Sequence, residues 1–157
     1  MRPRDFLHAL PDAVRPLLAE ELAAFRTSTG FSLCQLWYGN RALHYEAWLR
    51  ARHHVVELGL HFEADPLTNA RLLAAFRSRE RALRRKLGPT VRVEEWDRGW
   101  ARVWEPLPLA ALDAELADRV ARRLADFIAT CEPLLRRELP SDVPWVTPAR
   151  RPARRPR

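Results

Sequence analysis

Two stretches of strict apolar/polar alternation constrain this chain more than any other feature. In the first, Leu43, Tyr45, Ala47 and Leu49 point one way and His44, Glu46, Trp48 and Arg50 the other. In the second, His54, Val56, Leu58, Leu60 and Phe62 share a face opposite Glu57, Gly59, His61 and Glu63. A period of two belongs to a strand with one covered face, not to a helix. A tight turn at Ala51-Arg52 places Tyr45 opposite Leu58 and Glu46 opposite Glu57, and both apolar sets then fall on one side.

The rest of the chain supplies partners for that hairpin. Residues 5–29 read as helical in one or two pieces, interrupted by Pro11 and Pro16. The main helix is expected from Pro16 to Arg26, on Leu18, Leu22 and Phe25. Phe31 to Tyr38 reads as a strand ending at the Gly39-Asn40 turn. A long helix is expected from Pro66 to Leu87, capped by Asp65, stopped by Gly88-Pro89 and striped by Leu72, Phe76, Leu83 and Leu87. A second hairpin pairs Thr90–Trp96 with Trp100–Glu105 around Asp97-Arg98-Gly99. It sets Trp96 opposite Trp100, Glu94 opposite Arg102 and Arg92 opposite Trp104. The last helix starts near Asp113 and uses Leu116, Val120, Leu124, Phe127 and Cys131. Pro133 should kink or end it, with a further turn to Leu139.

The order α-β-β-β-α-β-β-α argues for a single α+β domain over 1–139, with helices on one face of an antiparallel sheet of about five strands. Residues 140–157 are dominated by proline and arginine and are expected to form a disordered tail.

The chain has 157 residues, 47% hydrophobic, enough to fill one core and too few for two sizeable domains. Net charge is +7. Setting aside Arg2, Arg4, Arg150, Arg151, Arg154, Arg155 and Arg157 leaves basic and acidic residues in balance, so the excess belongs to the ends. Lys86 is the only lysine, and an arginine bias that excludes lysine everywhere is weak evidence for phosphate binding. Cys34 and Cys131 match neither a disulfide framework nor a zinc motif. No apolar run approaches a membrane span and no signal-type stretch follows Met1, so a soluble, cytoplasmic protein is expected.

Three groups of residues carry chemistry. Trp96, Trp100 and Trp104 alternate with Arg92, Glu94 and Arg102 on one side of the second hairpin, and Trp48 can join them. Such a surface grips a protein or stacks bases, unless its tryptophans pack beneath a helix or across a homodimer with arginines folded over them. His44, Glu46, Glu57 and His61 can share the solvent face of the first hairpin and bind a metal or move a proton, although any solvated sheet face offers such pairs. Their spacing matches no structural motif, so no cofactor is expected and chelation should leave stability unchanged. Arg77, Arg81, Arg84 and Arg85 form a helix stripe able to follow a phosphate backbone, or simply the water-facing side. No nucleophile has a base at a defensible spacing.

The helix end Arg84-Arg85-Lys86-Leu87-Gly88, the following Val93-Glu94-Glu95-Trp96 hairpin and the order of elements resemble an uncharacterised bacterial α+β domain family of unknown function. Its members occur alone or appended to DNA-restriction proteins. The likeness covers about residues 31–137 and implies a nucleic-acid context without assigning any residue.

The leading expectation is a non-enzymatic interaction module, its Trp/Arg face meeting a protein partner or a second copy. A nucleic-acid-associated accessory domain, using the arginine stripe and tail, is the alternative. A small metal-dependent or hydrolytic enzyme on the His/Glu face is a third.

Overall fold

A computed structural model describes residues 1–143. The elements, in chain order, are α1 (Pro3–Val14), β1 (Arg26–Thr29), β2 (Leu33–Trp37), β3 (Leu43–Arg50), β4 (Val55–Phe62), α2 (Pro66–Arg77), α3 (Glu80–Leu87), β5 (Arg92–Trp96), β6 (Trp100–Pro108) and α4 (Ala114–Glu138). The strands form one antiparallel sheet in the order β1-β2-β3-β4-β6-β5. The fold is α+β as the alternation requires, with six strands where about five were expected.

The N-terminal helix lies elsewhere than the prolines imply. It occupies Pro3–Val14 and carries Pro11 inside, whereas Arg15–Leu17 and Glu20–Leu22 form two short 3₁₀ turns and Arg26–Thr29 is an edge strand. An interior proline costs about 3 kcal/mol. Against that, Phe6, Leu7, Leu10 and Val14 are all fully buried on one helix face. Each such burial contributes about 1.5–3 kcal/mol, so tertiary packing outweighs the proline rule. The same logic keeps α4 continuous through Pro133, which lies between the buried pairs Cys131–Glu132 and Leu134–Leu135.

The long helix expected over 66–87 is two helices. Asp65 does cap the first, accepting from the Thr68 N–H at 3.0 Å. The break falls at Ser78, whose hydroxyl donates to the Ala75 carbonyl at 2.7 Å and so competes with continued helical bonding.

The core lies between the sheet and its helices. Leu58, Leu60 and Phe62 of β4, Tyr45 of β3 and Val103 of β6 share one buried cluster with Val120, Leu124, Phe127 and Ile128 of α4, and α1 packs on α4. Phe62 contacts Phe76 of α2, with ring centroids 5.2 Å apart. Cys34 and Cys131 are buried and unbridged, and burial pushes both thiol pKa values up. Among the described residues no helix is long and apolar enough to cross a membrane. Residues 140–143 form a turn held by an Arg71–Asp142 pair at 3.0 Å, and the rest of the expected tail lies outside the described residues.

Glu105 and Glu132 are buried carboxylates on this side of the sheet. Glu132 of α4 accepts from the Tyr45 hydroxyl at 2.8 Å and from Arg136 Nε at 3.1 Å. Burial raises its pKa above the usual value near 4.5, and the bonds from Tyr45 and Arg136 only partly offset this. The native state therefore holds the Glu132 proton more tightly than the unfolded chain does. The cost is absent below the unfolded pKa and accrues as pH climbs through the raised native value. Glu132→Gln keeps an acceptor for Tyr45 and does not titrate. In paired denaturant titrations, the wild type should lose stability relative to Glu132→Gln as pH rises from about 4.5 toward neutrality.

Candidate functional site

The helices leave the second face of the sheet to its own side chains, and what gathers there follows from one loop. Between β3 and β4 the chain does not make a two-residue turn. Ala51–His53 forms a 3₁₀ turn and His54 adopts a left-handed conformation at φ 53°. The loop thus holds four residues, with Arg50 opposite Val55. Relative to the expected pairing the register moves by two positions: Tyr45 faces Leu60, Glu46 faces Gly59 and Trp48 faces Glu57. A shift of two keeps every side chain on its expected face. It changes their neighbours, bringing His44 directly opposite His61.

The two imidazoles stack nearly parallel, with centroids 5.4 Å apart. Glu46 Oε2 lies 3.1 Å from His44 Nε2, and its other oxygen lies 3.8 Å from His61 Nε2. Glu63, just past β4, closes the group: its Oε2 lies 3.0 Å from His61 Nδ1 and 3.8 Å from His44 Nε2. One donor atom from each of His44, Glu46, His61 and Glu63 lies within 4.8 Å of all the others. Glu57 does not belong, because its carboxylate is bound by Arg50 at 3.3 Å and Arg102 at 2.9 Å.

The expectation that these groups sit on a solvated face is also corrected. The side chains of His44, Glu46 and His61 are 1–3% exposed and that of Glu63 is 6% exposed. Trp96 presents a T-shaped contact to His61 at 5.5 Å, and Trp48 packs on Trp96 at 6.3 Å. Gln35 of β2, absent from the sequence reading, donates to Glu46 Oε2 at 3.2 Å and is itself held by Arg41 at 3.3 Å. His44 Nδ1 lies 2.8 Å from the Arg41 carbonyl, which can only accept, so Nδ1 carries a proton. Burial depresses the His44 pKa, but the Glu46 bond and the Glu63 and Glu46 charges outweigh it and leave the pKa above its ordinary value.

The tryptophan surface lies beside this cluster. The second hairpin has the expected register, and Asp97, Arg98 and Gly99 all take positive φ in its three-residue turn. Trp96 and Trp100 pack at 5.9 Å, and with Trp48 they form a contiguous, half-buried strip. Trp104 and Arg102 lie deeper, 6% and 7% exposed. The Arg102 guanidinium lies 3.7 Å from the Trp104 ring centroid and 4.4 Å from that of Trp96, and Arg92 covers Trp104 at 5.2 Å. Arginines over the rings were expected together with a helix or a second copy covering the tryptophans; of that arrangement the arginine contacts are present. Trp37, on the same face, is covered by Arg41 at 4.7 Å.

Arg77, Arg81, Arg84 and Arg85 do share a shallow groove, although it spans two helices. Glu80 also lines it and pairs with Arg84 at 3.0 Å, and Arg84 Nε donates to the Val91 carbonyl. The groove is therefore less cationic than the sequence stripe.

Comparison with protein-family models finds no match for this chain, and none is found among curated proteins.

Gly59 is the weak point of the sheet beneath it. A Cβ there would lie 2.1 Å from the Val103 carbonyl oxygen and 2.6 Å from the Trp104 Cα, and the backbone sits at φ 153°. Gly59→Ala must therefore force β4 away from β6. Urea unfolding should show a loss of about 2 kcal/mol or more, against about 0.5 kcal/mol for a neutral surface change.

Proposed function

We propose that the protein is a non-enzymatic interaction module that self-associates through the open face of its sheet. Trp48, Trp96 and Trp100 form the contact, with Arg92 at its edge. The observation that carries this reading is the contiguity of the three half-buried rings on the face opposite the helices. Tryptophan with arginine is the composition of an interface centre, because large rings lose little conformational entropy on docking. The four rigid β-strands beneath make the surface pre-organised.

A second copy is the occupant that the charges favour. Around the rings the face carries both signs, with Arg50 28% exposed and Glu94 39% exposed in their side chains. A two-fold contact sets each patch against itself, so it needs complementary charges within one patch. Arg102 and Trp104 act beneath the contact, fixing the rings from below.

Analytical ultracentrifugation and light scattering test this directly. The expected result is a dimer at micromolar concentration whose dissociation constant rises at least about tenfold in Trp100→Ala, a cost of ~1.4 kcal/mol. Circular dichroism of the variant should be unchanged, since Trp100 is only half buried. A monomer throughout the accessible concentration range would overturn self-association.

A further inference from the structure

We propose that His44, Glu46, His61 and Glu63 form a binding site for one divalent transition-metal ion, with zinc the best fit, beneath the tryptophan strip. The site is independent of the interface reading and departs from the expectation of no metal.

Four ligands at 2.0–2.1 Å in a tetrahedron stand about 3.3 Å from one another. His44 Nε2 stands 3.1 Å from Glu46 Oε2 and 3.8 Å from Glu63 Oε2, whereas His61 meets Glu46 Oε1 with Nε2 at 3.8 Å and Glu63 Oε2 with Nδ1 at 3.0 Å, so only one of its two nitrogens can serve an ion. One donor atom from each of the four residues lies within 4.8 Å of the others, so the side chains must draw in by roughly an ångström to hold an ion.

The donor set narrows the ion. Two imidazoles with two carboxylates suit zinc and its transition-metal neighbours, whereas calcium and magnesium take oxygen almost exclusively. Two carboxylates supply the charge that a divalent ion balances, in a place where its hydration shell is replaced by fixed ligands.

The surroundings are those of a ligand set held in orientation. His44 Nδ1–H donates to the Arg41 carbonyl, which directs Nε2 toward Glu46 and Glu63. Gln35 donates to Glu46, and Arg41 donates to Gln35. Outer hydrogen bonds of this kind fix the tautomer of a metal-binding histidine and the rotamer of a metal-binding carboxylate. The scaffold is equally firm, since His44 and Glu46 sit two apart on β3 and His61 is directly across on β4. With four protein ligands and Trp96 against His61, the centre is closed, as in structural rather than catalytic sites.

The test uses the full chain, stripped with chelator and dialysed. Zinc chloride is titrated in competition with a chromophoric indicator, and native mass spectrometry reads the stoichiometry. One zinc per chain, bound in the sub-micromolar range, with a rise in melting temperature on addition, is the expected result. Glu63→Gln and Glu46→Gln, which keep shape and remove charge, should each weaken binding more than about tenfold. His53→Gln, in the exposed β3–β4 loop, should leave it unchanged. Zinc-edge X-ray absorption on the wild type needs no variant to fold, and should report two imidazoles and two oxygens at about 2.0–2.1 Å. Failure to bind zinc below about millimolar concentration would leave an imidazolium–carboxylate network and overturn the proposal. Zinc that survives both glutamine variants, or shows another ligand shell, would overturn it as well.

Discussion

The pairing of β3 with β4 governs both faces of the molecule. Each residue of the pair is fixed to a side by the pleat and to a partner by the loop. Toward the helices, the pairing sets Tyr45 beside Leu60 and Ala47 beside Leu58, all fully buried. On the far side it sets His44 against His61. Because the two faces share one backbone, the core that stabilises the sheet also holds the polar groups in register. The apolar face has a large energetic stake in this register, and the polar cluster inherits its precision.

The far face is layered rather than flat. The His/Glu group and Gln35 lie deepest. Arg102 and Trp104 pack beside them, bridged through Glu57 and Glu94, with the Trp104 indole N–H donating to Glu94 at 2.7 Å. Trp48, Trp96 and Trp100 are outermost. Buried charges tolerate such a position only when paired and hydrogen-bonded, and every ionisable group of this layer has a partner of opposite sign or an aromatic face. That mutual satisfaction explains how a sheet face with no helix over it among the described residues can bury histidines almost completely.

Much of the fold was legible because its strongest signals are local. The alternation of Leu43–Arg50 and Val55–Phe62 follows from the pleat, and the Asp65 cap with Pro66 behind it and the Asp97-Arg98-Gly99 turn follow from a few adjacent residues. What escaped was decided by packing at a distance. Pro11 reads as a helix breaker until Phe6, Leu7, Leu10 and Val14 are seen to need a common face. His54 reads as ordinary until it is found left-handed, a conformation that histidine adopts more readily than most residues but that leaves no mark in sequence. That one residue sets a four-residue loop, and the loop exchanges Glu57 for Glu63 in the cluster. Glu63 already stood on the correct face by parity, so the signal existed, but parity cannot choose among residues two apart. Gln35 and Arg41 come from a neighbouring strand and the loop that follows it, where sequence supplies no register.

The two thiols have a use that their inertness creates. Cys34 lies beneath Thr27 and Thr29 of the edge strand β1, whereas Cys131 is enclosed on α4 beside Glu132. Burial disfavours the thiolate at both, so neither reacts with an electrophile until its surroundings open. The positions differ in what must open: the short outer strand for one, the central helix for the other. The chain thus carries a built-in pair of chemical clocks, one timing the fraying of the sheet edge and the other the dissolution of the core.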